Sequence, residues 1–120
     1  MSDPKFVAFA TLNRIHDLVE GLAGVYLRDL PPFTTLLVRT RNSLYRVVIT
    51  RWPEVYVQGG DFFPNPTAAY LDGATSGDSW FRVGWIGVGG LVEIRSGEWR
   101  ITTSPVLAIT TEHAPGWSVH

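Results

Sequence analysis

The stretch DGATSGDSW contains the side chains of this sequence that come nearest to a catalytic or cation-binding arrangement. Ser79 could act as a nucleophile, but Trp80 and Phe81 stand where a sharp nucleophile turn needs glycine, and no histidine can be assigned as its base. Asp72 and Asp78 could offer oxygen ligands to calcium, yet the stretch lacks the alternating acids and the closing Glu of a calcium loop. A polar, turn-rich loop explains the stretch better than either site.

The other patterns that could carry chemistry are also incomplete. His16, His113 and His120 share no metal-ligand spacing, and the chain has no Cys, which excludes thiolate zinc sites, iron–sulfur clusters and disulfides. GWIGVGG is glycine-rich but lacks the Lys-Ser/Thr and the helix pattern of a phosphate-binding loop. We therefore predict no catalytic residue, no metal site and no cofactor, and a hydrolase built on Ser79 is the least favoured of three functional hypotheses.

The stretch VRTRNSLYRV crowds three arginines into an apparent β-hairpin. A two-residue loop at Asn42-Ser43 predicts an apolar core face, and on the outer face it sets Arg39 opposite Arg46 and Leu37 opposite Val48. Like charges that face each other destabilise a strand pair, and a solvated sheet face is usually polar. The outer face of this hairpin is therefore predicted to contact something.

Three occupants of that outer face stay open. The first is intramolecular, because five arginines and one acid between Arg28 and Arg51 are followed by four acids and no basic residue up to Trp80; the acidic part could fold over the basic part. The second is a copy of the chain or a partner protein. The third is a phosphate-bearing ligand or nucleic acid, since the guanidinium fork suits phosphate geometry. For the first, the candidate acids are Asp17, Glu20, Asp61, Asp72 and Asp78.

The stretch LVEIRSGEWRITT predicts a second hairpin. With Ser96-Gly97 as its turn, Glu93 faces Arg100 on one side and Ile94 faces Trp99 on the other. Opposite charges then share one face and apolar residues share the other, which is typical of cross-strand pairing.

The elements that position these residues are one helix and a set of short strands. Apolar residues at three- and four-residue steps from Phe9 to Tyr26 predict an amphipathic N-terminal helix region over residues 6–30, which Pro31-Pro32 ends. Alternating patterns predict strands within residues 34–111, and residues 112–120 are predicted to be an irregular tail. Residues 59–79 read as a long loop with a short helix over NPTAAYLDG.

These elements predict a single domain over residues 1–120. The expected fold is mainly β, a small antiparallel barrel or sandwich of six to seven strands with one N-terminal amphipathic helix. The composition of 45% hydrophobic residues suffices for one core. The formal net charge of −1 argues against coating nucleic acid by bulk charge. The sequence contains no uninterrupted run of 18 apolar residues and therefore predicts no membrane span. We expect a cytoplasmic, soluble protein.

The favoured functional hypothesis is a small non-enzymatic interaction or assembly module. It would self-associate or dock on a partner protein through the first hairpin and the aromatic segment 59–79. The alternative is a β-barrel that binds phosphate or nucleic acid through the arginines of the first hairpin. The candidate residues for contact with a partner or an anion are Leu37, Arg39, Arg41, Arg46, Val48, Arg51, Phe62 and Phe63.

Overall fold

The computed structural model describes residues 24–112, which are almost entirely β-strand and turn. One short 3-10 helical turn, Leu27–Asp29, lies between the first two strands. The strands are β1 (Gly24–Tyr26), β2 (Thr34–Thr40), β3 (Leu44–Arg51), β4 (Glu54–Gly59), β5 (Phe63–Thr75), β6 (Phe81–Val83), β7 (Trp85–Gly87), β8 (Leu91–Ser96), β9 (Trp99–Thr102) and β10 (Val106–Glu112). Among these residues, no helix is long and apolar enough to span a membrane.

Eight of the strands form one antiparallel sheet in the order β10-β2-β3-β4-β5-β8-β9, with β6 paired to β5 beside this path. The remaining two, β1 and β7, form a separate two-stranded sheet. The prediction of a mainly β, antiparallel fold is therefore confirmed. The large sheet does not close into a barrel in the described part of the chain, and the ten strands exceed the six or seven expected.

Alternation along each strand places the core on one side of the large sheet. On β2 and β3, buried residues alternate with more exposed ones: Leu36, Val38, Val47 and Ile49 are all at most 3% exposed. Ile86 of β7 is fully buried against the same core, so the small sheet covers the inner face. The side chains that alternate with these core residues along the strands form the outer face of the large sheet.

The predicted helix over residues 6–30 fails at its C-terminal end, and residues 6–23 lie outside the described residues. Gly24 to Tyr26 instead pair with β7. A Cβ on Gly24 would lie 2.4 Å from the Trp85 indole nitrogen, which shows how closely the two strands approach. The predicted tail also begins too early, because Glu112 belongs to β10; residues 113–120 lie outside the described part.

Both hairpins have the predicted faces but different partners. In the first, Arg46 lies opposite Leu37 and Arg39 lies opposite Leu44, so the register is displaced by two residues and the two arginines do not face each other. Thr40 closes the turn, since its backbone N–H donates to Ser43 O at 2.7 Å. In the second hairpin Ile94 pairs with Ile101, and the predicted pairs of Ile94 with Trp99 and of Glu93 with Arg100 are wrong. Trp99 is 63% exposed.

The predicted long loop and short helix are wrong, because residues 63–75 form the longest strand of the sheet. The first part of β5 pairs with β4, and the part from Tyr70 onward pairs with β8. Pro64 and Pro66 break the usual strand pattern, yet both lie where β5 has β4 as its one paired neighbour among the described residues. Proline is tolerated in such edge positions.

The stretch GWIGVGG follows directly on β6 and contains β7. Gly84 has φ of 70° and separates β6 from β7, and Phe81 and Val83 of β6 are 44% and 61% exposed. The chain passes from the large sheet to the small sheet at Gly84. The apolar residues Phe81 and Val83 before it are therefore exposed, whereas Ile86 after it is buried.

Candidate protein-docking surface

An uncharged row of side chains crosses the outer face of four neighbouring strands. Thr35 of β2 lies opposite Val48 of β3, Val48 lies opposite Tyr56 of β4, and Tyr56 lies opposite Ala68 of β5. Thr35 and Val48 are half-buried, and Ala68 and Tyr56 are exposed, Tyr56 at 48%. We call these four residues the outer row; it runs across a face where polar residues would be expected.

The next row of residues on the outer face contains Arg46, one of the arginines predicted to contact a partner. Leu37, Arg46 and Gln58 lie side by side on β2, β3 and β4. The Nε of Arg46 donates to Oε1 of Glu112 at 2.6 Å, and both side chains keep about two-fifths of their surface exposed, 44% and 39%. The partner is an acid of β10, outside the acidic stretch that sequence reasoning considered.

The other arginines of the first hairpin lie at its tip. Arg39 and Arg41 are exposed, and neither forms an ion pair with an acid within residues 24–112. The tip itself is held, because the backbone N–H of Arg41 donates to Pro105 O and that of Asn42 donates to Ser104 Oγ, both at 2.9 Å. Leu44 beside Arg39 is 52% exposed. The tip therefore presents, from a fixed backbone, one aliphatic side chain and two guanidinium groups that have no acidic partner in the described part of the chain.

The last predicted cation, Arg51, ends β3. It lies opposite Glu54 in the register, yet the two side chains form no ion pair within the limits of the described structure. Arg46 and Arg51 are five residues apart on β3, which is about 16 Å along an extended strand, so they do not form one anion-binding cluster.

A groove continues the outer row toward β8. Tyr56 and Tyr70 line it, and exposed Ala68 and partly exposed Ser96 lie between and beside them. Its volume is about 440 Å³, within the usual range for binding pockets. Glu54, which lies opposite Tyr70, adds one carboxylate to the lining. We call this concavity the tyrosine groove.

Tyr70 is supported by a charge pair at the far side of the groove. Arg95 Nε and Nη2 donate to the two carboxylate oxygens of Asp72 at 2.7 and 2.8 Å, and the guanidinium lies 5.0 Å from the Tyr70 ring centroid. The hydrogen bonds and charge of Asp72 raise the pKa of Arg95 above its ordinary value. Because Arg95 is engaged by both Asp72 and Tyr70, the groove wall is preorganised.

The two phenylalanines of the aromatic segment 59–79 differ in their exposure to solvent. Phe62 is 54% exposed and its ring lies 5.6 Å from that of Trp99, centroid to centroid. Phe63 is 3% exposed and belongs to the core, so its predicted exposure is wrong. Only Phe62 of this pair is available to a partner.

The stretch first considered for chemistry forms a turn. Asp78 accepts hydrogen bonds from the Ser76 hydroxyl and the Trp80 backbone N–H, and Arg82 pairs with it at 3.3 Å. These contacts lower the pKa of Asp78, with the Ser76 hydrogen bond as the largest cause. Ser79 has φ of 71° and no histidine lies in the described part of the chain. Nor do the described residues contain a group of three side chains suited to hold a metal ion.

A second cleft, of about 660 Å³, has Asp72 in its lining. Trp52, Phe81 and Val83 give it apolar walls, and Glu93 contributes a carboxylate. Both oxygens of Glu93 accept the Thr102 hydroxyl at 2.9 Å, and Asp72 is held by Arg95. The two acids are therefore occupied by protein donors.

The candidate contact residues predicted from sequence did not include Tyr56, Ala68, Tyr70 and Glu112. The alternation in EVYVQ could have placed Tyr56 on the outer face, since Val55 and Val57 are buried. The other three depend on recognising β5 and the end of β10. Comparison of the chain with protein-family models, curated proteins and solved structures finds no match. The chemistry of this surface is therefore the basis on which a function can be proposed.

Proposed function

We propose that this chain is a small non-enzymatic interaction module that self-associates or docks on a partner protein through the outer face of β2 to β5. The observation that supports the proposal is the outer row, which places Thr35, Val48, Tyr56 and Ala68 side by side without a charge. An antiparallel sheet with a solvated face normally carries polar residues there. The core of protein interfaces is depleted of charge and enriched in aromatic residues.

The residues around the outer row fit the rim of such an interface. Leu37 adds apolar surface beside Val48, and Arg39, Arg46 and Glu112 supply charge at the margin. Arginine and tyrosine are the residue types that most often dominate binding energy at interfaces. Phe62 and Trp99 form a separate pair of exposed aromatic rings near the turn between β4 and β5.

Self-association is tested by light scattering over a concentration series. We expect the mass of the wild-type chain to rise with concentration, and Val48→Glu to keep the chain monomeric with an unchanged circular dichroism spectrum. Val83→Glu is the matched control, since Val83 is 61% exposed on β6 and lies outside the outer row. A wild-type chain that stays monomeric, or a Val48→Glu chain that assembles normally, would overturn self-association through this face.

Binding of a phosphate-bearing ligand or nucleic acid is the second candidate. Arg39 and Arg41 favour it, because they have no acidic partner in the described residues and stand at one hairpin tip. Arg46 counts against it, since Glu112 already engages its guanidinium. Fluorescence titration with short oligonucleotides at two salt concentrations tests the idea: binding that weakens with salt, and weakens again in Arg39→Gln with Arg41→Gln, is the expected pattern.

A further inference from the structure

Phe33 adopts a backbone conformation that suits glycine. The Thr34 N–H and hydroxyl both donate to Pro31 O, at 3.2 and 2.7 Å, which closes a turn over Pro32 and Phe33. Proline fixes φ near −65° and Phe33 has φ of 67°, the combination found in a type II turn. The third position of that turn strongly favours Gly or Asn, and a bulky residue there is an outlier.

Burial does not compensate this conformation, because the Phe33 side chain is 61% exposed. Its backbone is nevertheless held, since the Phe33 N–H donates to Ile49 O at 2.6 Å. Strained residues that the surrounding structure fixes in place occur preferentially at functional sites. An exposed aromatic ring on a fixed turn is a typical anchor for a protein partner.

A receptor for such a ring lies close by on the same molecule. Ile49 holds Phe33, and the next residue of β3, Thr50, lines the tyrosine groove. Anchor and groove therefore lie side by side at the same end of β3, although the exposure of Phe33 shows that it does not fill its own groove. Two copies related by a two-fold axis could each place an anchor in the groove of the other, which is how closed dimers form.

The chemistry of the two surfaces is complementary. Tyr56, Ala68 and Tyr70 together line the groove, and aromatic rings attract one another in offset and edge-to-face arrangements. At the groove, Glu54 has no ion-pair partner among residues 24–112. Exposed Arg28 lines a pocket together with Pro32 of the turn. Its guanidinium carbon lies 5.7 Å from the centroid of the Tyr26 ring, and it has no acidic partner among residues 24–112. The guanidinium of one copy can therefore neutralise the carboxylate of the other.

We infer that the partner of this surface is a second copy of the chain, in a two-fold dimer in which Phe33 of each copy enters the tyrosine groove of the other. The inference rests on the proposed self-association and adds to it the anchor, the groove and the symmetry. The second copy is chosen because one chain carries both halves of the contact next to each other.

Two substitutions test the two halves separately. Phe33→Gly removes the ring and places the residue that φ of 67° favours, so it should leave the melting temperature equal or higher. Ala68→Arg fills the groove from an exposed position. Each should raise the dimer dissociation constant by about 30-fold or more, as expected for a central anchor. Trp80→Ala removes another exposed ring, 68% exposed, and should leave dimerisation unchanged.

A mixture of the two variants gives the sharper result. The Phe33→Gly chain keeps an intact groove and the Ala68→Arg chain keeps an intact Phe33, so together they can form one of the two contacts. Each variant alone should be monomeric at a concentration where the mixture forms a heterodimer, measured by analytical ultracentrifugation with one variant fluorescently labelled. Recovery of association in the mixture is specific to a reciprocal exchange of anchor and groove.

The outcomes separate the inference from the proposed function. If Phe33→Gly dimerises as the wild type does while Val48→Glu is monomeric, the outer face is the interface and the Phe33 contact is wrong. Ala68→Arg does not decide this point, because Ala68 also belongs to the outer row. If the variants are monomeric but the mixture shows no heterodimer, the reciprocal arrangement is wrong. A wild-type chain that is monomeric at all concentrations overturns both. Should either single variant unfold, mixing the folded one with wild type decides: a dimer weakened relative to wild type supports the contact, and an unweakened one contradicts it.

Discussion

Arg46 of β3 reaches across β2 to bind Glu112 of β10, with Nε and Oε1 at 2.6 Å. The charge cluster of the first hairpin is thereby divided. Its arginine nearest the centre of the sheet is neutralised within the chain, and the two at the hairpin tip have no acidic partner in the described residues. The outer face consequently has an uncharged centre and a basic corner.

Removing the cross-strand charge pair should cost little stability. Arg46→Gln should lower the free energy of unfolding by at most about 1 kcal/mol, because both side chains are partly exposed to water. The loss should shrink at high salt, which screens exposed pairs. A urea-denaturation cycle with Glu112→Gln measures the coupling, and Arg39→Gln serves as the unpaired control. A coupling near zero at low salt would show that the contact contributes nothing to stability.

Adjacent leucines on β2 should respond very differently to truncation. Leu36 is fully buried, so Leu36→Ala should lower the free energy of unfolding by about 2–5 kcal/mol through lost burial and a cavity. Leu37 lies half-buried on the outer face, and Leu37→Ala should cost about 1 kcal/mol or less. Both are measured by denaturant unfolding at concentrations where the wild type is monomeric. Equal costs would mean that the two faces of β2 are assigned incorrectly.

Gly73 should not tolerate a side chain. Its φ is 148°, and a Cβ there would lie 2.2 Å from the carbonyl oxygen of Arg82, where β6 joins β5. Gly73→Ala should therefore lower the free energy of unfolding by more than about 2 kcal/mol. Gly77 has open space around its Cβ position, so Gly77→Ala should stay within about 0.5 kcal/mol of wild type. Thermal unfolding of the two variants under the same conditions makes the comparison.

The turn around Asp78 should loosen in acid. Hydrogen bonds from Ser76 and Trp80, together with the charge of Arg82, hold the pKa of Asp78 below its ordinary value of 3.8. The carboxylate therefore contributes its full stabilisation above that value and loses it as the pH falls through the lowered pKa. The backbone amide resonance of Trp80 should titrate with a midpoint below 3.8. In Asp78→Asn this titration should vanish; a midpoint above the ordinary value would contradict the contacts.

The alternating pattern of β2 and β3 predicts their faces but not their register. Moving one strand by two residues leaves every side chain on the same face, so the core residues are compatible with both registers. The observed one sets Arg46 against Leu37 instead of Arg39 and avoids opposed like charges. The register of the second hairpin is also displaced by two residues, but there it sets like charges opposite each other, Arg95 against Arg100. Arg95 is neutralised by Asp72 of β5.

The longest strand is the least recognisable in sequence. Pro64, Pro66 and Gly73 all disfavour a strand, and Asn65-Pro66 resembles a helix start. Sheet pairing on β4 and β8 overrides these local preferences. The acid that pairs with Arg46 could not be predicted from sequence either. Arg46 and Glu112 are 66 residues apart in sequence, and they meet only because β2 pairs with both of their strands.

Pro64 and Pro66 also determine how a partner can approach. Ala68 lies two residues after Pro66 on β5, and its carbonyl accepts the Ser96 hydroxyl at 3.1 Å, whereas the Pro64 carbonyl accepts a hydrogen bond from Nε2 of Gln58 on β4 at 3.2 Å. Neither proline has an N–H to donate to an incoming strand. An incoming strand could not extend the sheet by backbone pairing along this part of β5. Recognition at this end of the molecule is thereby directed from the edge of the sheet to its face, where side chains, and hence sequence, decide which partner fits.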